Sequence, residues 1–180
     1  MLSYQAPLAF SGAGTPVQTL PRPVVIKQQC MNYWCWASVT ELVSAYLDSA
    51  PRTQCQIASD FFDGCCPCPY PGYPGNEACN NPYDLVTALG PHCSNPQAAV
   101  GDFPTIVNEI CTRQQPVACR IHLNDGSGYH YIVIIGVAID AQVVRVADPL
   151  GHDGNALDLS FGQFCAGYSD GTWDQMITIQ

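Results

Sequence analysis

Cys35 lies where a helical sequence pattern begins, and this position suits a nucleophilic thiol. Apolar residues recur at helical spacing from Trp36 onward, which places Cys35 in the first turn. A thiolate at a helix N-terminus is stabilised by unpaired backbone N–H groups and by the positive end of the helix dipole. Gln29, six residues upstream, can direct its side-chain amide to the same point. A nucleophile beside a hydrogen-bond donor is the beginning of an acyl-transfer site.

A thiolate nucleophile needs a proton-transfer partner, and His130 is the best candidate. His130 opens an otherwise apolar strand pattern, where burial requires hydrogen bonds to its ring nitrogens. Asp148 follows the next strand pattern. If a tight turn joins these two strands, His130 and Asp148 become neighbours at one end of the sheet. A structural Asp satisfying a core His is the alternative, and Cys35 in the same chain favours the catalytic interpretation.

The elements that must position these residues follow from periodicity. Helical spacing predicts helices over 35–47 (with Asn32 as N-cap), 53–62, 82–89 (with Asn81 as cap), 102–114 and 159–165. Alternating or continuous apolar runs predict strands over 117–123, 129–139, 143–147 and 173–179, and a short strand or an extended lead-in over 23–27. Helices followed by an antiparallel sheet indicate an α+β fold. Residues 1–22, rich in Gly, Pro and Thr, indicate a flexible N-terminal arm or pro-like extension before a single domain over 23–180.

Composition excludes several classes of partner. The net charge is −9, with only 6 Lys and Arg residues, so the surface repels phosphate and anionic lipid. We therefore expect no nucleic acid partner and no membrane partner. No apolar run reaches the roughly 18 residues of a transmembrane helix.

The chain has eleven cysteines, which favours an oxidising, secreted or exported location, although no signal peptide is visible. One reactive thiol would leave ten cysteines for up to five disulfides. One cluster of four cysteines could bind a zinc ion instead of forming disulfides: Cys65, Cys66, Cys68 and Cys79. The adjacent pair and the short spacing favour disulfides over zinc.

Several of these segments resemble the papain-like cysteine peptidases. The resemblance is carried by Gln29-x5-Cys35-Trp36-Ala37-Ser38, by His130 opening its apolar strand, and by Ala147-Asp148-Pro149. It is closer to the compact bacterial branch, which includes effector proteases and C39-like peptidases. The motif Thr53-Gln54-Cys55-x-Ile57-Ala58, the pair Cys65-Cys66 and Cys79-Asn80 resemble that branch as well. The likeness covers about residues 24–179.

The resemblance implies a papain-like fold, in which a helical half led by the Cys35 helix packs on an antiparallel sheet half. Cys35 would be the nucleophile and His130 its proton-transfer partner. Asp148 would orient the imidazole, where many relatives have Asn. Gln29 would donate its amide to the oxyanion beside the Cys35 backbone N–H, and its interval to Cys35 matches the family better than that of Gln28. Such a mechanism requires no cofactor.

The expected function is hydrolysis of peptide bonds in a protein or peptide substrate through a thioester, with self-processing of the 1–22 arm included. Two alternatives stay open. The same triad can serve acyl transfer, peptide cyclisation or glutamine deamidation. The chain can also be a non-enzymatic, disulfide-rich module in which Cys35 is paired or buried.

Overall fold

The computed structural model describes residues 16–65, 68, 75–97, 100–151 and 156–180. Its described part contains a seven-stranded sheet in which every pairing is antiparallel. The strands are β1 Gln18–Thr19, β2 Cys93–Gln97, β3 Val117–Leu123, β4 Tyr129–Ala138, β5 Val143–Ala147, β6 Leu157–Ser160 and β7 Gly171–Ile179. They lie in the order β2-β7-β3-β4-β5-β6, and β1 pairs with β4 outside this series.

Helices precede most of the sheet, so the α+β architecture is confirmed. They are α1 Cys35–Leu47, α2 Gln54–Ala58, α3 Leu85–Leu89, α4 Phe103–Val107 and α5 Phe161–Ala166. The α4 helix continues into the π-helical segment Asn108–Arg113, and short 3-10 turns cover Glu77–Cys79 and Gly90–His92. The α1 helix packs against α2, α3 and β4. It is buried on nearly all sides, as expected for a helix that contacts both other helices and the sheet. Among the described residues, no helix has both the length and the apolar character needed to cross a membrane.

The N-terminal part of the chain differs from the sequence-based prediction. Of the two alternatives for residues 23–27, the strand is wrong, since these residues precede α1 without forming a strand. The first strand, β1, lies earlier and pairs with Val137 and Gly136 of β4. Leu20, within the predicted arm, is buried in the same region. A Cβ on Gly136 would lie 2.9 Å from the carbonyl oxygen of Gln18, so this close approach of β1 requires a glycine.

Several predicted boundaries are also wrong. The N-cap of α1 is Trp34 rather than Asn32. The α2 helix is shorter than predicted, and α3 begins later, because the Asp84 carboxylate caps it by accepting the Thr87 N–H. The residues predicted as one helix over 159–165 divide into the end of β6 and most of α5. The β2 strand was not predicted, since its sequence contains Asn and Pro and lacks an apolar alternation.

Two disulfides close the segment that follows α2. They join Cys55 to Cys68 and Cys65 to Cys79, with Cα–Cα distances of 5.2 and 5.6 Å. Three of the four cysteines of the zinc alternative are therefore held in disulfides, and the fourth, Cys66, lies outside the described residues. The ten cysteines beside Cys35 left room for up to five disulfides, and the structure shows these two among the described residues. Cys35 is a free thiol, and so are four other described cysteines: Cys30, Cys111, Cys119 and Cys165.

Candidate active site

A cleft of about 700 Å³ lies between the two halves of the molecule. Cys35, Gln29 and His130 all line it, together with aromatic residues such as Tyr33 and Trp36. The sequence predicted that these three polar side chains belong to one site, although their positions in the chain are up to about a hundred residues apart. The fold brings them to one surface.

Cys35 is the first residue of α1, and two tryptophans fix this end of the helix. The indole of Trp34 donates a hydrogen bond to the Cys79 carbonyl at 2.7 Å, and the indole of Trp36 donates to the Asn81 carbonyl at 3.1 Å. Cys79 is itself held by a disulfide. The helix start is therefore attached to a cross-linked segment. Cys35 is unpaired and lines the cleft, although only 6% of its surface is exposed.

His130 and Asp148 meet at the end of the β4–β5 hairpin, as the sequence predicted. His130 is the second residue of β4, and Asp148 directly follows β5. The His130 Nε2 atom lies 2.7 Å from the Asp148 Oδ1 atom, and both residues are buried. Because Nε2 faces the carboxylate, Nδ1 is the ring nitrogen that is left to serve Cys35.

The electrostatics of this pair favour its ionised form. Burial alone would lower the pKa of His130, but Asp148 and the nearby Cys35 thiol outweigh it and raise that pKa to about 10. Burial alone would raise the pKa of Asp148, and the protonated His130 outweighs it and lowers that pKa. An imidazolium beside a carboxylate is consequently the favoured state near neutral pH.

Asp148 has two further donors that sequence reasoning missed. The backbone N–H of Leu150 donates to Oδ1 at 2.8 Å, and the Tyr168 hydroxyl donates to Oδ2 at 2.8 Å. Tyr168 is fully buried. No periodic signal marks this tyrosine, since it precedes β7 in an irregular turn.

Of the two candidate glutamines, Gln29 lines the cleft, whereas Gln28 does not. The Gln29 Nε2 group donates to the carbonyls of Met31 and Asn32, at 3.0 and 2.6 Å. Its Oε1 atom is buried and has no hydrogen-bond partner among the described residues. The amide is thus in the cleft, with its protons directed at the turn that leads into α1.

Comparison with known proteins places the chain in a family. The model of the Peptidase_C39 like family matches residues 21–178. The chain belongs to this family. It is a cysteine peptidase, a hydrolase, and the non-enzymatic alternative is therefore wrong.

The solved structures similar to this cysteine peptidase include xylellain, a cysteine protease from Xylella fastidiosa. The two share 10% sequence identity, with a TM-score of 0.48, and the match covers 97% of this chain and 91% of xylellain. A comparison with curated proteins found no match.

Proposed function

We propose that this peptidase uses Cys35, His130 and Asp148 as a catalytic triad. The observation that carries the proposal is the buried His130–Asp148 pair beside a thiol at a helix N-terminus, with Cys35 and His130 lining one cleft. Cys35 is the nucleophile, His130 transfers the proton, and Asp148 holds the imidazole in orientation.

The reaction begins when the Cys35 thiolate attacks the carbonyl carbon of a peptide bond. A C–S bond forms, and the carbonyl electron pair moves to oxygen to give an oxyanion. When the oxyanion collapses, the C–N bond breaks and the departing amine takes a proton from His130. Water then attacks the thioester with His130 as its base, and the Cys35 thiolate leaves.

The oxyanion lies near the start of α1 in this proposal. The Cys35 backbone N–H belongs to the first turn, where amide protons have no intrahelical acceptor. Gln29 supplies the second donor by exchanging one of its two carbonyl bonds for the oxyanion. The bond to Met31, at 3.0 Å, is the longer one and is the bond we expect to be exchanged.

The substrates we propose are protein or peptide chains, and the residues named above need no cofactor for this chemistry. Self-processing of the 1–22 arm is a narrower proposal. The described part of the arm contains β1, which pairs with Gly136 of β4. Gly136 is six residues from His130, a distance of about 20 Å along a strand. A peptide bond within β1 is therefore too far from His130 to be cut in place, and its cleavage would require either a second molecule or release of β1 from the sheet.

A peptide library tests this function. The wild-type protein should produce cleaved peptides, while Cys35→Ala and His130→Ala should produce none. Cys35→Ala should keep the wild-type thermal unfolding, whereas His130→Ala should unfold at a lower temperature, because it leaves the buried Asp148 carboxylate without its partner. Asp148→Ala should retain more activity than His130→Ala. Ligated or cyclic products, or a +1 Da glutamine, would show acyl transfer or deamidation instead of hydrolysis. Cleavage at the wild-type rate by Cys35→Ala would exclude the proposed nucleophile.

A further inference from the structure

Gln54 forms hydrogen bonds with the backbone on both sides of Gln29. Its Oε1 atom accepts the backbone N–H of Cys30 at 2.8 Å, and its Nε2 group donates to the Gln28 carbonyl at 3.0 Å. Gln54 is only 1% exposed. The oxygen and the nitrogen of this buried amide are therefore both hydrogen-bonded to the residues that flank Gln29.

A third bond fixes Gln29 from the other half of the molecule. The Gln29 backbone N–H donates to the Pro149 carbonyl at 3.0 Å, directly after Asp148. Gln28 and Cys30 are exposed, and the segment around them has no helix or strand structure. The position of Gln29 consequently depends on these few bonds rather than on regular secondary structure.

The element that carries Gln54 is well anchored. Gln54 is the first residue of α2, whose N-terminus has a capping box formed by Thr53 and Gln56. The next residue, Cys55, is joined to Cys68 by a disulfide, and Ile57 is buried in the core. Because α2 is fixed by a cap, a cross-link and packing, it can hold the Gln28–Cys30 segment in one place.

We propose that Gln54 is a positioning residue for oxyanion stabilisation and acts through Gln29. The inference rests on the proposed function, in which the Gln29 amide donates to the oxyanion. Loss of one oxyanion donor lowers kcat by roughly a hundred- to a thousandfold. Displacing that donor should have a smaller effect, so we expect Gln54→Ala to lower kcat by about ten- to a hundredfold, with little change in KM.

Two probes separate oxyanion stabilisation from thiol reactivity. A peptide aldehyde, with the sequence of the best-cleaved library peptide, forms a hemithioacetal whose oxygen needs the oxyanion donors. Iodoacetamide alkylates Cys35 by displacing iodide and forms no oxyanion. Gln54→Ala should weaken aldehyde binding by about the same factor as kcat, because both require the same donors, and should leave the alkylation rate unchanged.

Gln56→Ala is the matched control. It removes a glutamine from the same helix and one half of the capping box, but the Thr53 hydroxyl still accepts the backbone N–H of position 56 and both Gln54 bonds remain. It should leave kcat and aldehyde binding at the wild-type level. In a Gln29→Ala background, Gln54→Ala should have little further effect, because the residue on which it acts is gone.

Wild-type aldehyde binding in a folded Gln54→Ala protein would overturn the inference, as would an effect that is fully additive with Gln29→Ala. An equal loss of alkylation rate would show a structural role instead. If Gln54→Ala does not fold, Gln54→Glu serves as the second variant. It keeps an oxygen that can accept the Cys30 N–H, but it places a second oxygen, in the place of the amide donor, opposite the Gln28 carbonyl. It should then be more active at acidic pH, where its carboxyl is protonated and can donate, and a wild-type pH profile would overturn the inference. If Gln29→Ala itself has no effect, the oxyanion assignment in the proposed function fails, whatever Gln54 does.

Discussion

Removing the hydroxyl of Tyr168 tests whether its hydrogen bond to Oδ2 holds the Asp148 carboxylate in place. The hydroxyl donates to Asp148 Oδ2 at 2.8 Å in a fully buried position, and Oδ1 is already occupied by His130 and Leu150. Tyr168→Phe keeps the ring but leaves one carboxylate oxygen without its donor. A hydrogen bond to a charged group contributes about 1.5–3 kcal/mol, so the free energy of unfolding should fall by about that amount.

Loss of this hydrogen bond should also lower kcat/KM, because Asp148 then orients His130 less firmly. If the full energy appears in the transition state, kcat/KM should fall by about ten- to a hundredfold, at 1.36 kcal/mol for each factor of ten. Urea unfolding with the disulfides intact measures the stability change, and a peptide substrate measures kcat/KM.

Tyr46→Phe is the matched control. Tyr46 is also a buried residue, but its hydroxyl donates to a neutral acceptor, the Gln114 carbonyl, at 2.7 Å. Its loss should lower stability by about 0.5–1.5 kcal/mol and leave kcat/KM unchanged. In an Asp148→Ala background, Tyr168→Phe should have almost no further effect on activity. Equal effects of Tyr168→Phe and Tyr46→Phe on kcat/KM would refute the reasoning.

Three other perturbations test the surrounding structure. The pKa of His130 is raised from 6.5 to about 10 and that of Asp148 is lowered from 3.8, so their pair should stabilise the fold fully between about pH 4 and 6.5. The difference in unfolding free energy between wild type and Asp148→Asn should shrink below pH 4 and from pH 6.5 toward 10; a pH-independent difference would contradict this. Replacing Cys55 and Cys68 by Ser should lower stability by about 3 kcal/mol under non-reducing conditions, as expected for a separation of 13 residues, and a change below about 1 kcal/mol would be inconsistent with a structural cross-link. Gly136→Ala should displace β1 and lower stability by about 1–3 kcal/mol, and unchanged urea unfolding would disagree with the close approach of this strand.

The parts of the fold that the sequence predicts well are those with a strong local period. The strands β3, β4 and β5 are apolar runs bounded by turns, and α1 has helical spacing that ends before Pro51. Because the β4–β5 hairpin fixes its own register, the proximity of His130 and Asp148 also follows from local rules. These features explain why the central pair of the site is predictable.

The remaining features depend on contacts between distant residues. The bonds of Gln54 to the Gln28–Cys30 segment span 24 and 26 residues, and the bond from Tyr168 to Asp148 spans 20. No periodicity marks such contacts. The β2 strand exists because the edge of β7 offers free backbone partners, and Trp34 replaces Asn32 as N-cap because its indole is fixed by the Cys79 carbonyl. Tertiary structure decides these positions over local preference.

Trapping the acyl-enzyme identifies the residue that attacks the substrate. The protein would be mixed with a peptide p-nitrophenyl ester, quenched in acid within the first turnover, and digested for mass spectrometry. We expect one acyl group per molecule, joined as a thioester to Cys35, and none in Cys35→Ala. An acyl group on Cys30 or another residue, or the same yield in Cys35→Ala, would contradict this expectation.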